Sequence, residues 1–203
     1  MTNKLDEKEF LGVDLELPSG TIWAKCNVGA EKPSDAGLYF QWGDTIGYKS
    51  SQIGNGNGQK KFAINGSDYN KNLSTKYNTP GVTLELEDDA ANKYMKGNWH
   101  MPTLTQVQEL INNTTSTWTT QNNVNGRLFT SKKDPLKSIF IPAAWNAWNG
   151  SINNTNDYGS IWLCILNKQN TTSAYHFDFY SDYVIVRDAS LRYNGRSVRG
   201  VIG

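Results

Sequence analysis

With 203 residues, 37% hydrophobic content and seven Trp, the chain is long and apolar enough to bury a sizeable core, which excludes an intrinsically disordered protein. Its formal net charge of +1 gives bulk attraction to neither nucleic acid nor acidic partners, so no nucleic-acid role is expected. No apolar run has the ~20 residues that a transmembrane helix needs, so no membrane insertion is expected either.

Residues 1–10 are polar and charged, without the apolar stretch of a secretory signal. Residues 1–11 read as a solvated leader, and residues 12–203 as a single domain. Val13-Asp14-Leu15-Glu16-Leu17 alternates as a strand does, Pro18-Ser19-Gly20 signals a turn, and Thr21-Ile22-Trp23-Ala24 reads as the returning strand. Residues 37–43 form an aromatic cluster bounded by glycines. Residues 54–78, rich in Gly, Asn, Lys and Ser, read as a long loop.

Residues 84–96 have helical spacing, with Leu86, Ala90 and Tyr94 on one stripe and acidic residues in the first turn, where the helix dipole favours them. A second helix is predicted after Thr103. That residue is a good N-cap, Gln106 completes a capping box, and Val107, Leu110 and Ile111 supply the apolar face. From Thr117 onward the pattern is β. Trp118, Val124, Leu128-Phe129 and Ile139-Phe140-Ile141 read as short strands separated by Asn-Gly and Asp-Pro turns, and strand and loop continue to the end. The predicted class is α+β: two helices beside a mainly antiparallel sheet.

Catalytic signatures are sparse. The two histidines, His100 and His176, are far apart, and no Gly-x-Ser-x-Gly elbow, phosphate loop, His-Glu-x-x-His or Cys-x-x-Cys occurs. Cys26 and Cys164 are too few for a disulfide framework or a structural zinc site and read as unpaired thiols. Glu85, Glu87, Asp88 and Asp89 fall on more than one helical face, and Asp178 and Asp182 lack EF-hand spacing. No metal, no cofactor and no enzymatic activity are expected.

Several segments together resemble one family: Val13-Asp14-Leu15-Glu16-Leu17-Pro18-Ser19-Gly20-Thr21-Ile22-Trp23-Ala24 with Cys26-Asn27-Val28-Gly29; Tyr39-Phe40-Gln41-Trp42-Gly43; Asp88-Asp89-Ala90-Ala91; Trp99-His100-Met101-Pro102-Thr103; Ile139-Phe140-Ile141-Pro142-Ala143-Ala144; and Arg192-Tyr193-Asn194-Gly195-Arg196-Ser197-Val198-Arg199. In this order they resemble the major paralogous domain abundant in Bacteroidetes and Fibrobacter, over about residues 12–202. The resemblance implies a C-type-lectin-like fold, similar also to the formylglycine-generating enzymes. In that fold the terminal strands pair, which would set Val13-Asp14-Leu15-Glu16-Leu17 near residues 197–202. It also implies that Trp23, Trp42, Trp99 and Trp162 are core residues. Nothing matches the catalytic cysteine pair of the formylglycine-generating enzymes, so their activity is not implied.

Family members usually carry Tyr-Trp-Ser-Ser-Ser where this chain has Ile161-Trp162-Leu163-Cys164-Ile165. That departure resembles the variable proteins of diversity-generating retroelements, which use the same fold. Their adenine mutagenesis turns Asn codons into many residue types but never into Lys, Gln, Glu, Met or Trp. None of these occurs from Asn170 to Gly203, although Lys is common earlier. The resemblance implies a variable binding region at about 144–195.

Strand alternation then assigns faces. Tyr175, Phe177, Phe179, Val184 and Val186 are expected to face the core, with Trp162. His176, Asp178, Tyr180, Tyr183, Ile185, Arg187, Asp188, Ser190 and Leu191 are expected to face solvent, joined by Ile161, Leu163 and Ile165 in one contiguous patch. Such a mixture of aromatic, apolar and charged groups resembles a paratope. The expected function is a non-enzymatic binding protein for a protein or glycan on a cell surface, displayed on a virion or bacterial surface; assembly into an oligomer is left open. The alternatives are a carbohydrate-binding or carbohydrate-active surface protein without diversification, and a plain structural surface domain.

Overall fold

The computed structural model describes residues 11–152 and 156–203; the leader reading of residues 1–10 lies outside them. The strands are β1 (Gly12–Asp14), β2 (Ile22–Asn27), β3 (Thr114–Gln121), β4 (Val124–Ser131), β5 (Ser138–Pro142), β6 (Ala147–Trp148), β7 (Ser151–Ile152), β8 (Tyr158–Leu166), β9 (Ser173–Tyr180), β10 (Val184–Leu191) and β11 (Arg199–Ile202). The helices are α1 (Lys71–Lys76), α2 (Ala90–Met95) and α3 (Leu104–Asn113). The class is α+β, and every paired strand is antiparallel to its neighbour.

The N-terminal hairpin forms as its turn residues predict. Gly20, at φ +76°, donates its N–H to the Leu17 carbonyl, and β1 pairs β2 in register Val13 to Trp23. The terminal strands share one sheet in the order β1-β2-β11, but β2 stands between them, so the first and last strands do not pair directly. The other sheets run β3-β4-β5, β8-β9-β10 and β6-β7.

The Asn-Gly pair Asn125-Gly126 is not the turn between β3 and β4. Asn122 and Asn123, at φ +49° and +63°, make it instead. Gly126 lies within β4, where an added Cβ would fall 2.4 Å from the Ile141 carbonyl oxygen. Asn149 and Gly150, at φ +50° and +75°, turn the β6–β7 hairpin, the twist such two-residue connections require.

α3 starts where its capping signal predicts. The Thr103 hydroxyl accepts from the Gln106 N–H, and Gln106 Oε1 accepts from the Thr103 N–H. The stripe expected over 84–96 is corrected. A 3-10 turn at Leu86–Asp88 ends at Asp89, whose side chain caps α2, so Leu86 and Tyr94 lie exposed while Ala90 and Ala91 pack inward. The loop reading of 54–78 is also incomplete. It contains α1, which with Tyr69, Leu73 and Tyr77 enters the core.

Two large clusters build the interior on either side of β8 and β9. One joins Leu15, Leu17, Trp23, Val107, Leu110, Phe129, Ile139 and Ile141 to Ile161, Leu163, Phe177 and Phe179. The other joins Phe40, Trp42, Leu73, Tyr77, Ala90, Ala91 and Met101 to Trp162, Cys164, Leu166 and Ala174. Trp23, Trp42, Trp99 and Trp162 are all buried, as expected. Trp42 and Trp162 cross-tie the two segments: the Trp42 indole donates to the Leu163 carbonyl and the Trp162 indole to the Phe40 carbonyl, each at 2.8 Å.

This double burial corrects the assignment for β8. Ile161 is 1% exposed and Leu163 is fully buried, while Ile165 is half-buried and bridges Thr83. The three do not form an exposed apolar patch. The physical reason lies in the run itself: Ile161-Trp162-Leu163-Cys164-Ile165 is apolar at every position because both faces of the strand are covered, and a run without alternation carries no phase.

Candidate functional site

β9 and β10 have the phase expected from alternation. Phe177 pairs Val186 and Phe179 pairs Val184, and these residues face the inner cluster with Tyr175. The opposite face carries His176, Asp178, Tyr180, Ile185 and Arg187. Through the β8–β9 register it also carries Tyr158, Ser160 and Trp162. β8 therefore contributes Tyr158, Ser160 and Trp162 to this face, in place of Ile161, Leu163 and Ile165.

The face is layered. His176, Asp178 and Ser190 are buried, correcting their expected exposure. The covering comes from the chain that follows β10. Its Arg196 donates to Ser190 Oγ at 3.0 Å from Nε and 2.7 Å from Nη2, reaches the Tyr158 hydroxyl and Ser160 Oγ through Nη1, and lies 5.1 Å over the Trp162 ring. Strand alternation gives the side of a sheet, but not whether a later segment folds over it. Leu191 is half-buried, and Asp188 is exposed as expected.

At the centre stands Asp178. Its Oδ1 accepts from the Tyr158 and Ser160 hydroxyls, both at 2.7 Å, and its Oδ2 lies 3.3 Å from His176 Nε2 and 3.2 Å from Arg187 Nε. Burial alone would raise this carboxyl. The His176 hydrogen bond, the charge of Arg196 and the Ser160 hydroxyl outweigh it and hold Asp178 below the usual carboxylate range. Burial, followed by the Arg196 charge, depresses His176, so the neutral imidazole donates to an ionised Asp178. Both carboxylate oxygens of Asp178 thus have two fixed partners each, and such multiple pairing holds a buried polar network in one geometry.

Above this layer lies an aromatic ladder. Trp145 meets Tyr158 edge-on at 4.9 Å, Tyr158 meets Tyr180 at 4.7 Å, and Tyr180 stacks on Tyr183 at 4.5 Å and 23°. Burial raises the Tyr180 hydroxyl to about 12, so it stays protonated. The exposed rim is Tyr183, Ile185 and Arg187, with Tyr183 41% and Ile185 36% exposed. Of the residues assigned to the patch, the structure brings Tyr180, Tyr183, Ile185 and Arg187 together on this face; Asp188 is exposed beyond the register shift that follows Arg187, and its charge acts on Tyr175, which faces the other side of the sheet.

Sequence reasoning missed Trp145, Tyr158, Ser160 and Arg196 as members of this face. The signal for Arg196 was present in the Arg192–Arg199 motif, but arginines default to the surface in any pattern reading. Here Arg192, Arg196 and Arg199 are all buried. Arg199 donates to the Ala24 carbonyl, Asn27 Oδ1 and the Phe140 carbonyl, each at 2.9 Å.

A cavity of about 680 Å³ beside Lys25, Cys26 and Met95 shares no residue with this face. Burial raises the Cys26 thiol, keeping it in the weakly nucleophilic neutral form. No helix among the described residues is long and apolar enough to cross a membrane. No family model, curated protein or solved structure matches the chain.

Proposed function

We propose that this protein is a non-enzymatic binding protein with a C-type-lectin-like fold, and that its ligand surface is the strip Tyr180, Tyr183, Ile185 and Arg187. The observation that carries the reading is the separation of layers. The rim side chains sit on a buried hydrogen-bonded network centred on Asp178, so recognition groups are held in place by residues that do not themselves reach the surface. Stacked tyrosines offer large rigid contact area at low entropic cost, and Arg187, pinned by Asp178, supplies a fixed charge. A protein or glycan on a cell surface is the partner class that such a mixed surface suits.

The same layering supports a diversified surface of the retroelement type. Exposed rim positions can change without disturbing the core, since surface substitutions away from caps and networks usually cost under ~0.5 kcal/mol. Tyr180, Tyr183, Ile185 and Arg187 all belong to the set that adenine mutagenesis of Asn codons can produce. The test is the neighbouring DNA, together with the gene sequenced in many isolates. A reverse transcriptase gene, a near-copy of the 3′ end, and adenine-directed changes concentrated at codons 180, 183, 185 and 187 are expected. Changes spread evenly over the chain, with no such copy, would overturn diversification.

A further inference from the structure

Beside the ladder lies a second concavity of about 440 Å³, lined by Trp145, Asn146, Trp148 and Ser151. We propose that this recess is a binding site for a neutral sugar. It rests on the binding reading only for its setting next to the strip, and the two can fail separately.

The lining chemistry selects the ligand class. Two indoles line the recess, and the negative quadrupole of an indole face attracts the polarised C–H groups on the apolar face of a pyranose. Asn146 adds an amide with both donor and acceptor, and Ser151 a hydroxyl that serves as either, the pairing a vicinal diol needs. Among the described residues, none that lines the recess carries a charge. A charged ligand would give up hydration with no counter-ion to replace it, and a neutral polyol loses nothing of that kind. The volume is within the ~300–1,000 Å³ range of small-molecule sites.

The recess is also held in shape before any ligand arrives. Ala147 exchanges both backbone hydrogen bonds with Gly195, at 2.7 and 2.9 Å. The Asn149 N–H donates to the Phe62 carbonyl and the Gly150 N–H to the Lys61 carbonyl, clamping the β6–β7 hairpin to the preceding loop. Trp145 is fixed by its edge contact with Tyr158. Trp148 nevertheless remains 43% exposed, a large apolar ring kept at the surface by a clamped hairpin. Preorganisation of this kind lowers the cost of binding, because little is left to order.

The experiment is a printed array of neutral and acidic oligosaccharides, with the best neutral binder titrated by calorimetry. Neutral glycans are expected to bind with a Kd of about 1 mM or better, and Trp148→Ala to weaken them at least about tenfold. Trp148→Tyr should retain most of the binding. Ser151→Tyr, which fills the recess without removing an indole, should abolish it. The strip variant Tyr183→Ser, Ile185→Ser, Arg187→Ser should leave it unchanged. Absence of neutral-glycan binding at about 10 mM, a preference for acidic glycans, or binding indifferent to both Trp148→Ala and Ser151→Tyr would overturn the site.

Discussion

Asp178 and Arg187 meet at 3.2 Å across the β9–β10 ladder, the Asp178 side chain 2% exposed and the Arg187 side chain 44%. The pair joins the buried layer of the face to its rim. Its two ends should respond differently to mutation. Asp178→Ala strands the Tyr158 and Ser160 hydroxyls and leaves Arg196 without a nearby counter-charge, and should cost about 3 kcal/mol. Arg187→Ala removes a partner that water can replace, and should cost under about 1 kcal/mol. Urea denaturation of both variants checks the asymmetry; equal costs would place Arg187 in the structural layer.

The same network predicts an acid limb. His176 is depressed, so the unfolded chain binds its proton more readily than the folded one. Stability from this group is complete above the unfolded value of about 6.5 and is lost as pH falls below it. Asp178 is also depressed, and its contribution disappears at lower pH, below about 3.9. The melting temperature should therefore begin to fall between about pH 6.5 and 5, and His176→Asn should flatten that first decline. An unchanged profile in His176→Asn would exclude the assignment.

Arg199 should prove the least replaceable charged residue. Three neutral acceptors surround its fork, and burial pulls its pKa down to about 10. Arg199→Ala should cost about 3–5 kcal/mol, and Arg199→Lys should recover little, because a single ammonium cannot span acceptors on β2 and β5. Chemical denaturation measures both; full recovery by Lys would show that only charge matters there.

Trp42 and Trp162 should each cost about 3–5 kcal/mol when truncated to Ala. Their reciprocal indole-to-carbonyl bonds add a sharper test. Trp→Phe at either position should still lose about 1–2 kcal/mol, through a buried carbonyl left without its donor.

Much of the frame was legible in sequence because local signals agreed with it. The Leu17–Gly20 turn, the Thr103–Gln106 capping box and the alternation of β9 and β10 each depend on neighbours in the chain. β8 was misphased because its residues are apolar on both sides. Asp178 and His176 were put on the correct side of the sheet yet at the wrong depth, because Arg196, many residues later, folds over them. Trp145 and Tyr158 enter the face only through register between strands, which no local pattern encodes.

The most direct test of the binding surface compares two fluorescently labelled proteins, the wild type and the variant Tyr180→Ser, Tyr183→Ser, Ile185→Ser, Arg187→Ser, for attachment to a panel of bacterial cells by flow cytometry. The wild type should label a subset of cells and the variant none, while their folding stabilities differ by about 2 kcal/mol or less. A folded variant that labels the same cells equally well, or a wild type that labels none, would contradict the account.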